Sequence, residues 1–301
     1  MHTQEKAYSM EELAIIAVRG IGTGAVFALV AMSMNVVYGA SHILNFAQGN
    51  MLLLGAFLAT LLADASQAVL PWLLLVPLAA LLLGALLMGQ GWLTLLPLRH
   101  SGEQSSWLIT TMAVSVIIAA LLTLFQGPWA ATASSPLPAV RLFGVHTPAP
   151  YVAASLLALF WYGALRCFLG FTLPGLAISA LSQDPEAARA AGLKVRRLQL
   201  LAFLISGLIV GSAGFVAAPI LTLSPDSGMR YVLNGFIAAV IGGMGSQLGA
   251  LVGGILVGLV AMLATYGLGG QFQTLVSMLL LVLVLLVRPE GLFGRAAARR
   301  V

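Results

Sequence analysis

Charge is what this sequence has least of. Only 8% of its 301 residues are Asp, Glu, Lys or Arg, and 60% are hydrophobic. A soluble domain carries about a quarter charged residues, so this chain cannot clothe a water-facing surface. The charges are also segregated: positions 20–98 contain only Asp64, 104–165 only Arg141, and 198–287 only Asp226 and Arg230. A charge at mid-bilayer costs on the order of 3 kcal/mol or more and usually marks an ion relay. Their scarcity argues against a proton- or sodium-coupled carrier built on carboxylates, although backbone carbonyls can still bind sodium.

Cysteine is nearly absent. The single Cys167 excludes an intrachain disulfide, and its expected role is that of a small buried packing residue. Catalytic constellations are missing as well. The sequence has no GxSxG, HExxH, CxxC or Walker A motif, and its four histidines, His2, His42, His100 and His146, are scattered. No Ser/His/Asp set or Asp pair can be assembled within the apolar runs, as an intramembrane hydrolase would need. An enzyme is therefore not expected, nor a cofactor, nor a metal. Glu5, Glu11 and Glu12 stand against Lys6 in the first dozen residues, and the first apolar run is too long for a signal h-region. A membrane span is expected there rather than a cleavable leader.

What is present is a series of apolar runs of roughly 20 residues, the length that crosses a bilayer, with a mean hydropathy of +1.03. The expectation is an all-α polytopic membrane protein of about nine spans, at 13–38, 43–63, 71–97, 107–125, 150–168, 198–218, 230–246, 249–267 and 271–287. These form one transmembrane domain, 13–294, between an N-terminal tail, 1–12, and a basic C-terminal tail, 295–301. The net charge of +5 sits at the ends of runs, which points to membrane topology and lipid rather than nucleic acid. Arg99, the segment from Arg166 to Arg197, and Arg288 with the tail hold ten of the fourteen Lys and Arg residues. By the positive-inside rule these segments are cytoplasmic, with the N-terminus outside and the C-terminus inside. Gly242, Gly243 and Gly245 interrupt 230–246, so that span reads as re-entrant or broken. The longest external loop, 126–149, is rich in proline.

The polar residues left among the spans are amides. Asn35, Asn45, Gln48 and Asn50 cluster in NVVYGASHILNFAQGN with His42 and two interrupting glycines, Gly39 and Gly49. A tight turn between spans explains Ser41 and His42. A broken helix exposes backbone polar groups, which at membrane depth are tolerated only where they line a cavity or are buried in protein. Asn45, Gln48, Gly49 and Asn50 are accordingly the candidate path for a polar solute. A second glycine-rich segment, GGMGSQLGALVGG at 242–254, repeats the spacing of Gly49 and Gly55-Ala56 in Gly243 and Gly249-Ala250. That spacing suggests an internal repeat, and close helix packing is the simpler reading of Gly249 to Gly258.

The densest charge lies in SQDPEAARAAGLKVRR, 182–197, within the cytoplasmic loop 174–197. It spells a complete short helix: Asp184 at the N-cap, Pro185 at the first turn, Glu186 near the positive end of the dipole, Ala187 and Ala188 as helix formers, and Gly192 as the left-handed stop. About two turns cannot stand alone in water, so another body must hold this helix.

Three stretches together resemble one family. NVVYGASHILNFAQGNMLLLGAF, SQDPEAARAAGLKV and GMRYVLNGFIAAVIGGMGSQLGALVGGILVGLV are similar to regions of the permease subunits of branched-chain amino acid ABC importers, of the shorter H type, whose relatives also serve urea and short amides. The resemblance covers about residues 13 to 294. It implies ABC importer permease architecture and an assembly with two ATPase subunits, a second related permease and a periplasmic or lipid-anchored substrate-binding protein, in the bacterial inner membrane. It also implies that Asp184, Pro185, Glu186, Ala187, Ala188, Arg189 and Gly192 form the coupling helix, with the Ala face entering a cleft on an ATPase. The chain departs from the family where relatives often carry Ala-His-Gly-Glu and this sequence has Ala47-Gln48-Gly49-Asn50. It departs again at Ser179-Ala180, where relatives often have Arg-Ala. The rivals are a secondary transporter or channel without ATPases, and an ABC permease for urea, amides or sugars.

Overall fold

The computed structural model describes residues 10–62, 69–95, 106–127, 129, 133–142 and 145–294. Asp64, Arg99, most of the N-terminal tail and the 295–301 tail lie outside them. Helices account for nearly all of it, in the order α1 Met10–Ser41, α2 Gln48–Leu61, α3 Val69–Leu95, α4 Ser106–Gln126, α5 Ala149–Phe171, α6 Leu173–Gln183, α7 Pro185–Ala190, α8 Val195–Ala217, α9 Ser227–Gly242, α10 Gln247–Gly267 and α11 Gln273–Val287. Single 3₁₀ turns lie at Ala218–Ile220 and Gly270–Phe272.

Seven helices among the described residues are long and apolar enough to cross a membrane, α11 being counted with the 3₁₀ turn before it as Gly270–Val287. The two other expected spans are short. At 1.5 Å per residue, α2 with 14 residues and α9 with 16 reach only about 21 and 24 Å, below the roughly 30 Å of a hydrocarbon core. α2 begins later than expected, at 48 rather than 43, whereas α9 is shifted toward the N-terminus, running 227–242 rather than 230–246, and both are largely buried. The protein is a multi-pass membrane protein. Large apolar side chains such as Leu74, Leu81, Val116, Leu124, Leu279 and Leu283 point outward on α3, α4 and α11. Such a surface is stable only against lipid or another apolar body.

The core forms around α1, α8, α9 and α10. α1 runs antiparallel to α10, with Gly20 and Gly24 facing Gly258 and Gly254 so closely that a methyl group on either strand of the contact meets backbone. In lipid this close approach, rather than hydrophobic exclusion, drives helix association. Gly249 and Gly253 face Gly242 and Ala238 of α9 instead, so the α10 glycines serve two neighbours. The matched glycine spacings occupy different places: Gly49 is in the first turn of α2, whereas Gly243 lies beyond the end of α9 with φ +100. Asn35 locks the start of α10, donating to the Ser246 carbonyl at 3.1 Å and accepting from the Gly245 N–H at 3.1 Å. Trp161 donates to Ser212 Oγ at 2.9 Å, joining α5 to α8.

Three details differ from expectation. The segment 133–149 contains a hairpin, β1 Val140–Leu142 paired antiparallel with β2 Val145–Thr147 in the register Arg141↔His146. The charged loop 174–197 is preceded and partly filled by an extra helix, α6, whose N-cap Thr172 accepts from the Gly175 N–H at 3.1 Å. Cys167 is exposed rather than packed, because its side of α5 faces outward beside Arg166.

After α11 the chain folds back as a strap. The Leu292 and Phe293 N–H groups donate to the Ile241 and Gly242 carbonyls at 2.8 and 2.9 Å, satisfying acceptors that a helix end leaves open. Gly243 at φ +100 and Gly291 at φ +80 allow the two backbones to touch.

Candidate functional site

The break between α1 and α2 is built from amides. His42 takes φ +53, stacked edge-on against Tyr38 with ring centroids 5.5 Å apart, and turns the chain out of α1. Asn45 then anchors it. Its Oδ1 accepts from the Ala47 N–H at 3.0 Å and from Gln90 Nε2 at 2.9 Å, while its Nδ2 donates to Gln90 Oε1 at 3.3 Å. Both residues are buried. The reciprocal pair clamps the break onto α3, and with the turn bond it engages three of the four hydrogen bonds that the Asn45 side chain can make.

Gln48 and Asn50 differ from it. Gln48 Nε2 donates to Ser206 Oγ on α8 at 2.8 Å, and Asn50 Nδ2 donates to the carbonyl and hydroxyl oxygens of Ser115 on α4 at 2.6 and 2.8 Å. Their carbonyl oxygens, Gln48 Oε1 and Asn50 Oδ1, are buried without a protein donor, as are Ser227 Oγ and Asn234 Oδ1 on α9. Buried acceptors are normally satisfied, and each orphan carries a penalty of about 1–3 kcal/mol. Gly49 meets the Gly228 carbonyl and the Val232 N–H with no room for a Cβ, and Asn50 Oδ1 lies against Gly228. The first turns of the two short helices therefore cross at Gly49 and Gly228. Asn50 and Ser115 reach a cleft of about 230 Å³ lined also by Phe46, Met112, Asp226 and Met229. The lining of this cleft combines the neutral polar groups of Asn50 and Ser115 with one carboxylate, Asp226, among apolar side chains.

The second candidate region is α7. Asp184 Oδ1 accepts from the Glu186 and Ala187 N–H groups, both at 3.0 Å, and Pro185 occupies the first helical position. At the other end Gly192 takes φ +81, with the Gly192 N–H bonded to the Arg189 carbonyl at 3.0 Å and the Leu193 N–H to Ala188 at 3.1 Å, a helix stop of the left-handed type. Ala188 is buried against the rest of the protein, while Glu186, Ala187, Arg189 and Ala190 are exposed. The exposed face of α7 therefore excludes Ala188, which belongs to the buried core while α7 packs against α6. Beneath it a cavity of about 390 Å³ separates Arg189 and Arg196 from Ser41, Ile43 and Leu95.

The family described as the permease component of the branched-chain amino acid transport system matches residues 16–287. The chain belongs to this family. LivH of Salmonella typhimurium strain LT2, a high-affinity branched-chain amino acid transport system permease protein, is 28% identical to the permease described here, over 94% of this chain and 96% of its own. BraD of Pseudomonas aeruginosa, with the same description, is also 28% identical over the same shares. The fructose import permease FrcC of Rhizobium meliloti is 34% identical over 39% of this permease and 33% of its own length. No solved structure matches the permease significantly.

Sequence reasoning missed the residues that complete the amide site. Gln90 is the single amide of the apolar helix α3, and that isolation is the available signal, since a lone buried amide in hydrocarbon needs a partner on another helix; Ser115 and Ser206 carry no such signal.

Proposed function

We propose that this chain is the membrane-spanning permease subunit of an ATP-driven importer of the bacterial inner membrane, carrying branched-chain or related amino acids into the cell. The observation that carries this reading is α7. It is a six-residue helix, capped at both ends within the chain and exposed on the face bearing Glu186 and Arg189, in a chain with no catalytic constellation of its own.

The end of the bundle bearing α7 is cytoplasmic, consistent with Arg189, Lys194, Arg196, Arg197 and Arg288 collecting there, and the N-terminus lies outside. α7 docks on one of two ATPase subunits. A second permease completes the membrane portion, and a substrate-binding protein delivers solute on the outer side. Closure of the ATPases displaces α7 and, through Ala188 and α6, the ends of α1 and α8. The crossing of α2 and α9 at Gly49 and Gly228 then opens, and the solute passes Gln48 and Asn50. Neutral amides suit a zwitterion, which needs hydrogen bonds at both poles and no net counter-charge. They hold it weakly, so selection falls to the binding protein.

Affinity purification of the full chain in mild detergent tests the assembly: two ATPase subunits and a second permease are expected to co-purify, and their absence from a folded preparation would refute it. A sugar is the second reading, favoured by the partial likeness to the fructose permease. Calorimetry on the cognate binding protein decides between leucine and fructose.

A further inference from the structure

The outer end of the bundle, opposite α7, carries a cleft that neither the amide site nor α7 explains. Its inner part, about 160 Å³, lies between α1, α5, α9 and α10 and is lined by Arg230, Tyr231 and Thr222 together with Phe27, Leu221 and Ala261. Its outer part, about 500 Å³, is lined by Arg19 and Tyr266. Tyr151, Met262 and Thr265 border both parts, which makes them one cleft.

Two features set its chemistry. First, it holds two guanidinium groups and no carboxylate in either lining. Among the described residues Arg19 hydrogen-bonds to a neutral partner, Tyr266 Oη, at 3.2 Å. A planar guanidinium matches a carboxylate in a bidentate way. Second, much of the remaining lining is apolar, with Val26, Phe27, Ile220, Leu221, Ala261 and Met262.

We propose that this cleft is a reception site for the substrate's carboxylate, at which Arg230 and Arg19 take the solute as the binding protein releases it, before it reaches Asn50. The inference rests on the importer reading above and adds the ligand chemistry of a second site: an aliphatic monocarboxylate. The amino group finds only hydroxyls and the Gln273 amide, so recognition is weighted to the carboxylate end. The positive potential also concentrates an anionic group at the mouth.

The test uses the complete importer in proteoliposomes, with tritiated leucine and its loaded binding protein, and reads leucine imported per ATP hydrolysed. Arg230→Gln with Arg19→Gln is expected to lower that ratio about tenfold, as loss of a charge-assisted contact implies. Arg230→Lys should restore part of it, and the binding-protein concentration giving half-maximal ATPase should not change. An unchanged ratio overturns the proposal. So does a rise in that half-maximal concentration matching the loss of import, which would make the arginines docking groups for acidic side chains of the binding protein. Should the double variant fail to assemble, Arg19→Gln alone and Arg230→Gln alone give the same readings, each with a smaller loss. If the unaltered complex imports no leucine with ATP, the importer reading itself fails, an outcome separate from the failure of this site.

Discussion

The Asn45–Gln90 pair gives the sharpest energetic prediction. Asn45→Leu removes two bonds to Gln90 and one to the Ala47 N–H, and leaves both polar ends of a buried glutamine without partners. In water-soluble cores each orphan would amount to about 1–3 kcal/mol. Interhelical hydrogen bonds in membranes are worth less, about 0.6 kcal/mol each and at most about 1.7, because the unfolded helix also finds partners in the bilayer. The two bonds together then contribute roughly 1–3 kcal/mol. Gln90→Leu should destabilise by that amount, and Asn45→Leu by about 1 kcal/mol more for the lost turn bond. The double variant leaves no orphan at Gln90 and only the Ala47 N–H unpaired, so its effect should fall short of the sum by about 1–3 kcal/mol. Unfolding in mixed micelles, followed by the fluorescence of the five tryptophans, measures all four corners of the cycle. Strict additivity would refute the clamp.

Further predictions concern the turns. Gly192→Ala meets nothing within 4 Å, so only the left-handed backbone opposes it, at about 1–2 kcal/mol; folded yield should hold while import falls modestly. Gly49→Ala drives a methyl group into the Gly228 carbonyl, and should abolish uptake or assembly altogether, as read by size-exclusion chromatography and leucine import. Asp184→Ala removes the only side-chain cap of α7 and should weaken that helix by about 1 kcal/mol, lowering coupled ATPase activity, whereas Asp184→Ser should preserve it. Gly243→Ala combines φ +100 with contact against Gly294, and is expected to free the 288–294 strap, seen as faster hydrogen exchange at Leu292 and Phe293.

Much of the architecture was legible in the sequence because in a membrane the apolar run is the element. The seven long helices sit within a few residues of their expected places. What escaped was tertiary. Nothing in FAQGN shows that helix begins only at Gln48; the delay arises because Asn45 bonds Gln90, 45 residues away. The shortness of α9 likewise depends on the strap returning from Leu292. α7 was legible to the residue, since Asp184, Pro185 and Gly192 act through local backbone geometry. The burial of Ala188 was not, because it depends on α6, a helix hidden in a loop otherwise read by its charges. The candidate amides could be picked out by rarity, but which of Asn45, Gln48 and Asn50 keeps an open acceptor depends on partners from α3, α4 and α8.

The central claim is that another protein's ATP hydrolysis enters this one through α7. Its most direct test is ATP-driven leucine uptake by the reconstituted importer carrying Glu186→Lys, an exposed position whose reversal of charge leaves the core untouched. The account predicts normal membrane insertion and folding with uptake and stimulated ATPase activity both lost. Uptake at the unaltered rate in that variant would contradict it.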